Sequence, residues 1–192
     1  MKYRWFWLTL LLVVVPALQA AVAHEPESSV AKSRALVATF GSQLQAELKQ
    51  SLGEGGPVAA IAVCKDRAPQ IASALSRSSG VKLRRTSLRY RNPLNAPEPW
   101  EARVLRDFDK QQLESPAAPL EYVSQQEDGT IRYMSAIKTG AVCLVCHGDN
   151  LADAISEKLQ ADYPHDLARG YGQGDIRGAF SLTWSAANVG SR

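Results

Sequence analysis

Histidine, methionine and cysteine are scarce, at three, two and three residues in a chain of 192. A structural zinc site needs four thiol or imidazole ligands and would exhaust most of that supply. Past residue 23 no apolar run is long enough to cross a bilayer, so no transmembrane segment is expected there. Nothing resembles a nucleophilic triad, a metal-activated water site or a phosphate loop, and the chain is not read as an enzyme. An excess of one charge is missing too. Two of the 22 basic residues, Lys2 and Arg4, lie in the first 23 positions with none of the 19 acidic ones, leaving the rest nearly balanced. That gives no electrostatic footprint for nucleic acid. Internal repeats and low-complexity tracts are absent as well.

What is present begins at the N-terminus. Lys2 and Arg4 precede an apolar run over residues 5–15 that only Thr9 interrupts. Pro16 breaks the run, and Ala21-Val22-Ala23 supplies the small–x–small pattern that signal peptidase accepts. The run is short for a membrane span, and polar His24-Glu25 follows closely. A signal peptide is therefore expected over 1–23, with a retained anchor as the alternative. Residues 24–192 then form a single domain delivered to the periplasm.

Residues 28–52 carry Leu36, Val37, Phe40, Leu44 and Leu48 at helical spacing, stopped by Gly53-Glu54-Gly55-Gly56. Pro57 opens a second helical stretch over 58–75, which Ser79-Gly80 ends. Within it Pro69 either bends the chain or starts a new helix just past Cys64. A strand is predicted over 81–90 and a helix over 99–113, the latter from Trp100, Val104, Leu105 and Phe108. Strand-like runs over 120–125 and 130–137 flank Asp128-Gly129, a hairpin signal. A short helix over 151–163, a glycine-rich loop over 170–174 and a last strand over 176–184 follow. Helices first, then antiparallel strands with helices between them, read as α+β.

The run Cys143-Leu144-Val145-Cys146-His147-Gly148 carries the chemistry. Two cysteines three apart on one helical turn can each add to a vinyl group of one haem as thioethers. The histidine next in line is then set to bind the iron. In bacteria that attachment is made only on the exported side of the membrane, in agreement with a leader. A disulfide, half a zinc site and a thioredoxin-like redox pair are the competing readings. Zinc would have to recruit Cys64, His24 or His165, and a redox pair belongs early in a βαβ unit rather than after a hairpin. One covalently attached haem c is the expected cofactor.

For the other side of the iron the residues leave Met134, His165, His24, Cys64 or an open position. Met134 falls in a strand pattern where packing is the commoner role. His165 sits in a loop that water can reach, and His24 at the mature terminus. Cys64 lies on an apolar helix, where an inert buried thiol and a thiolate ligand are equally compatible. The basic run Lys82, Arg84, Arg85, Arg89 and Arg91 reads as a solvated strand face, or as a source of partners for haem propionates.

Several segments, in order along the chain, resemble one known family. They are Ala60-Ile61-Ala62-Val63-Cys64, then Arg85-Thr86-Ser87 running into Arg91-Asn92-Pro93-Leu94-Asn95, then Trp100-Glu101. The Cys-Leu-Val-Cys-His-Gly motif follows, then Tyr163-Pro164, Gly170-Tyr171 and Gly174-Asp175-Ile176-Arg177-Gly178-Ala179-Phe180-Ser181. Together they resemble the PAS-like single-haem c domain family, found as secreted cytochromes and as sensor parts of membrane histidine kinases. The resemblance implies a PAS-like antiparallel sheet with packed helices, preceded by N-terminal helices. It also implies that Cys64 is the distal iron ligand opposite His147. The kinase and transmembrane portions of the sensor members have no counterpart in these 192 residues.

With His147 and Cys64 both bound, no iron position is open to a substrate. Electron transfer at low potential is then expected, because a thiolate favours ferric iron. The alternative is a redox or small-gas sensor that works by displacing an axial ligand. The redox partner protein has no signature in the sequence. A class I cytochrome is disfavoured, since Met134 precedes the haem motif, and the hairpin and last strand disfavour a four-helix cytochrome c′.

Overall fold

Two prolines and a glycine set the course of the N-terminal half. The computed structural model describes residues 25–189, so the expected signal peptide and His24 lie outside the described residues. Helix α1 (Glu25–Ala62) is two helices joined at Gly56, whose φ of 70° suits a residue without a Cβ. Pro57 begins the second part with a fixed φ and no N–H to satisfy. The expected apolar positions face inward: Phe40 is fully buried, with Leu36, Val37 and Leu44 around it.

A wide π-helical turn (Val63–Arg67) links α1 to α2 (Ala68–Ser79). Pro69 at the start of α2 has no N–H to return to the carbonyl four residues back, and its ring crowds that carbonyl. The turn before it widens, and the Ala68 N–H reaches back to the Val63 carbonyl. Helical structure thus continues past Pro69, with Cys64 at the widened turn.

Four strands form one antiparallel sheet in the order β1-β4-β3-β2, from β1 (Lys82–Thr86), β2 (Glu121–Gln125), β3 (Ile131–Lys138) and β4 (Ile176–Trp184). Helix α3 (Pro99–Glu114) precedes the β2–β3 hairpin. The one-turn α4 (Leu144–His147) and α5 (Asp153–Asp162) lie between β3 and β4 in sequence. The hairpin turns where Asp128-Gly129 predicts, and the Asp128 carboxylate accepts the Thr130 N–H at 2.9 Å. Leu83, Tyr133, Leu182 and Trp184 pack with Phe40 and Ile71. Met134 and Ala179 pack instead with Trp100, Val104, Leu105 and Phe108 of α3. The architecture is α+β, as expected.

One boundary differs. The strand expected over 81–90 ends at Thr86. Gly178 of β4 pairs with Ile137 and Ile176 with Lys138, so Arg177 is the extra residue of a bulge. There the Thr86 carbonyl comes so close that a Cβ on Gly178 would lie 2.4 Å from it. Ser87 then leaves the ladder, its hydroxyl donating to the Arg177 carbonyl at 2.7 Å and its N–H to the Asn95 carbonyl at 3.1 Å. Among the described residues no helix is long and apolar enough to cross a membrane.

Candidate functional site

The haem-type motif occupies α4 and the turn before it, and the loop over 168–171 holds it in place. The Gly170 N–H donates to the Gly148 carbonyl at 3.1 Å, and the Tyr171 N–H to the His147 carbonyl at 3.0 Å. These bonds bring the Ala168 carbonyl to 2.8 Å from Nδ1 of His147. A carbonyl can only accept, so Nδ1 carries the proton and Nε2 keeps its lone pair. That is the tautomer a metal-binding imidazole needs. Burial, and then the Arg177 and Arg91 cations, push the His147 pKa down to about 3, so the ring is neutral at physiological pH. The Tyr171 ring meets it edge-on, with centroids 6.2 Å apart.

Asp166 organises that loop. Its carboxylate accepts from Arg91 Nε at 3.0 Å, the Ala168 N–H at 2.9 Å and Arg169 Nε at 3.1 Å. Arg91 Nη2 donates in turn to the carbonyls of Cys146, at 2.6 Å, and Ala168, at 3.1 Å. The Arg91 and Asp166 side chains are only 10% and 3% exposed. Burial alone would raise the Asp166 pKa, but Arg91 and the Ala168 N–H outweigh it and hold the carboxyl below its ordinary value.

Cys64, Cys143, Cys146 and His147 all open on one cavity of about 340 Å³. Leu44, Leu48 and Leu52 of α1 contribute apolar wall, with Ile61, Ile137 and Phe180. None of the three cysteines is joined to another, so the disulfide weighed for Cys143 and Cys146 is not formed. Burial pushes the Cys146 thiol pKa up. Among the described residues no three His, Cys, Asp or Glu side chains converge closely enough to hold a metal ion unaided.

The candidate second ligands separate cleanly. Met134 is fully buried in the α3 core, and His165 is exposed in its loop; neither lines the cavity. Of the described candidates Cys64 shares the cavity with His147. The basic run divides as well, by strand alternation. Arg84 turns to Glu101 of α3, 3.1 Å away, while Arg85 lines the cavity. Sequence reasoning missed Arg177 and Tyr163 on the same wall. Arg177 is a lone cation in a strand, and only the glycine after it hints at a bulge.

No curated protein matches the chain. The crystal structure of the cyanobacterial haem protein Tll0287 superposes with a TM-score of 0.64 at 24% identity. The match covers 82% of this chain and 95% of that one. That likeness bears out the PAS-like fold expected from the sequence. The model of the Tll0287-like family matches residues 17–185, which is most of the chain. The chain belongs to the Tll0287-like family.

Proposed function

We propose that this protein is a periplasmic c-type cytochrome whose cavity holds one covalently attached haem, and that it acts in low-potential electron transfer. One observation carries the reading: two thiols three residues apart, a neutral imidazole with its Nε2 lone pair free and a third thiol distant in sequence all line one largely apolar cavity. The match to a haem protein and its family supports it. Haem supplies a one-electron iron couple when bound.

The residues divide the remaining work. Cys143 and Cys146 would tether the ring through thioethers. His147 would offer Nε2 to the iron, its ring fixed by the Ala168 carbonyl. Cys64 would give a second, anionic donor, which lowers the potential. Leu44, Leu48 and Leu52 would exclude water from the ring face, and export through residues 1–23 would take the chain to where attachment is made.

A second reading, a redox or small-gas sensor, is favoured by the position of Cys64 at a π-helical turn, a local irregularity common at functional sites. The PAS-like fold alone decides nothing. Absorption spectra of purified wild type, Cys64→Ala, Met134→Leu and His165→Ala, with and without carbon monoxide, test both. Cys64→Ala should alter the oxidised spectrum and raise the potential, while the other two leave the spectrum unchanged. A silent Cys64→Ala beside a changed Met134→Leu or His165→Ala overturns the ligand assignment. Carbon monoxide binding with a change of shape or oligomeric state favours the sensor, and inertness in both redox states the carrier.

A further inference from the structure

All but one of the basic side chains from 82 to 91 have partners that account for them. Lys82 pairs with Glu98 at 3.0 Å, and Arg84 with Glu101 and the carbonyls of Leu94 and Ala96. Arg89 lies 3.7 Å over the Tyr171 ring and donates to the carbonyls of Arg169 and Gly170. Arg91 belongs to the Asp166 network. Arg85 is the exception. Its guanidinium meets the Phe40 ring at 5.8 Å and has no carboxylate among the described residues.

Arg177, the bulged residue of β4, lines the same cavity, and its Nε is buried without a hydrogen-bond partner. The two cations repel each other. Burial, and then Arg177, pull the Arg85 pKa below the usual guanidinium value. Cys64 and Tyr163 also face Arg85. Burial raises the Tyr163 pKa, so its hydroxyl stays protonated and supplies no charge. Two neighbouring guanidiniums with unused donors on a cavity wall call for an anion with several acceptor oxygens.

We propose that Arg85 and Arg177 form the carboxylate-binding end of the cavity and take the propionate groups of the haem. This rests on the haem reading above and extends it. A guanidinium offers a planar fork of donors that matches a carboxylate two bonds at a time, which a lysine ammonium does not. Two cations held there also favour the reduced couple, which carries one positive charge fewer, and so partly offset the thiolate.

The test uses the full haem-loaded chain, with loading verified by intact mass. Arg85→Gln and Arg177→Gln should each move the reduced-to-oxidised ratio at fixed poise about tenfold toward oxidised, ~59 mV for one electron. Each should also shift the propionate bending band in the resonance Raman spectrum. Arg85→Lys should recover most of the potential and little of the band. Unchanged potential and band in both glutamine variants overturn the proposal and leave the haem reading standing. A wild type without added haem mass removes that reading itself. If the glutamine variants fail to load, the wild type decides through its redox-difference infrared spectrum near neutral pH. Ionised propionates alone are expected there, and a redox-linked protonated carboxyl band overturns the proposal. A wild-type potential that follows added acetate also overturns it, since a free anion would then occupy the two arginines.

Discussion

His147 and Ala168 are joined through Nδ1 and a carbonyl oxygen 2.8 Å apart, and Asp166 holds the Ala168 N–H at 2.9 Å. The orientation of the imidazole therefore depends on a buried carboxylate that never touches it. Asp166 has a folded-state pKa below its ordinary value of 3.8. As pH falls, the unfolded chain takes up this proton before the folded one does. The stability that the ionised carboxylate contributes is complete above the unfolded value and is lost as pH drops through the lower folded value. Thermal unfolding should show an acid limb below about pH 4. Asp166→Asn should weaken that limb. Asp166→Ala, by leaving Arg91 buried without its partner, should cost about 3–5 kcal/mol at neutral pH. An alanine variant as stable as wild type would show that the network does not hold the loop.

Gly178 carries a second prediction. Its φ of 154° is a conformation that side chains resist, and an added Cβ would lie 2.4 Å from the Thr86 carbonyl. Gly178→Ala should cost about 1–3 kcal/mol in backbone strain alone, with more from parting β1 and β4. Denaturant melts measure the loss, and faster hydrogen exchange in β1 would locate it. Wild-type stability would mean that the close approach is not fixed.

Much of this layout was legible in the residues. The alternating run Phe180-Ser181-Leu182-Thr183-Trp184 marked the end of β4, and Asp128-Gly129 marked the hairpin, because both signals are local. The helices around Phe40 and Phe108 followed from spacing for the same reason. The early end of β1 was not legible. It is set by the meeting of Thr86 and Ser87 with a bulge some ninety residues away, which no local pattern records. The Cys-Leu-Val-Cys-His-Gly motif was plain, and the arginine wall was half plain. Arg85 stood inside a charge run, yet strand alternation separates it from Arg84, and its neighbour Arg177 comes from the far end of the chain.

The proposed export is tested on residues outside the described ones. N-terminal sequencing of the protein recovered from the periplasm should start at or near His24, after the small residues Ala21 and Ala23. An intact Met1 in the membrane fraction would identify the segment as an anchor.

Covalent attachment of haem at Cys143 and Cys146 is the claim on which the rest depends, and intact mass tests it most directly. Protein matured in a host with cytochrome c assembly should exceed the polypeptide mass by one haem. Replacing both Cys143 and Cys146 by Ser should abolish the addition, and Cys64→Ser should keep it. A wild-type mass equal to the bare polypeptide would contradict the account.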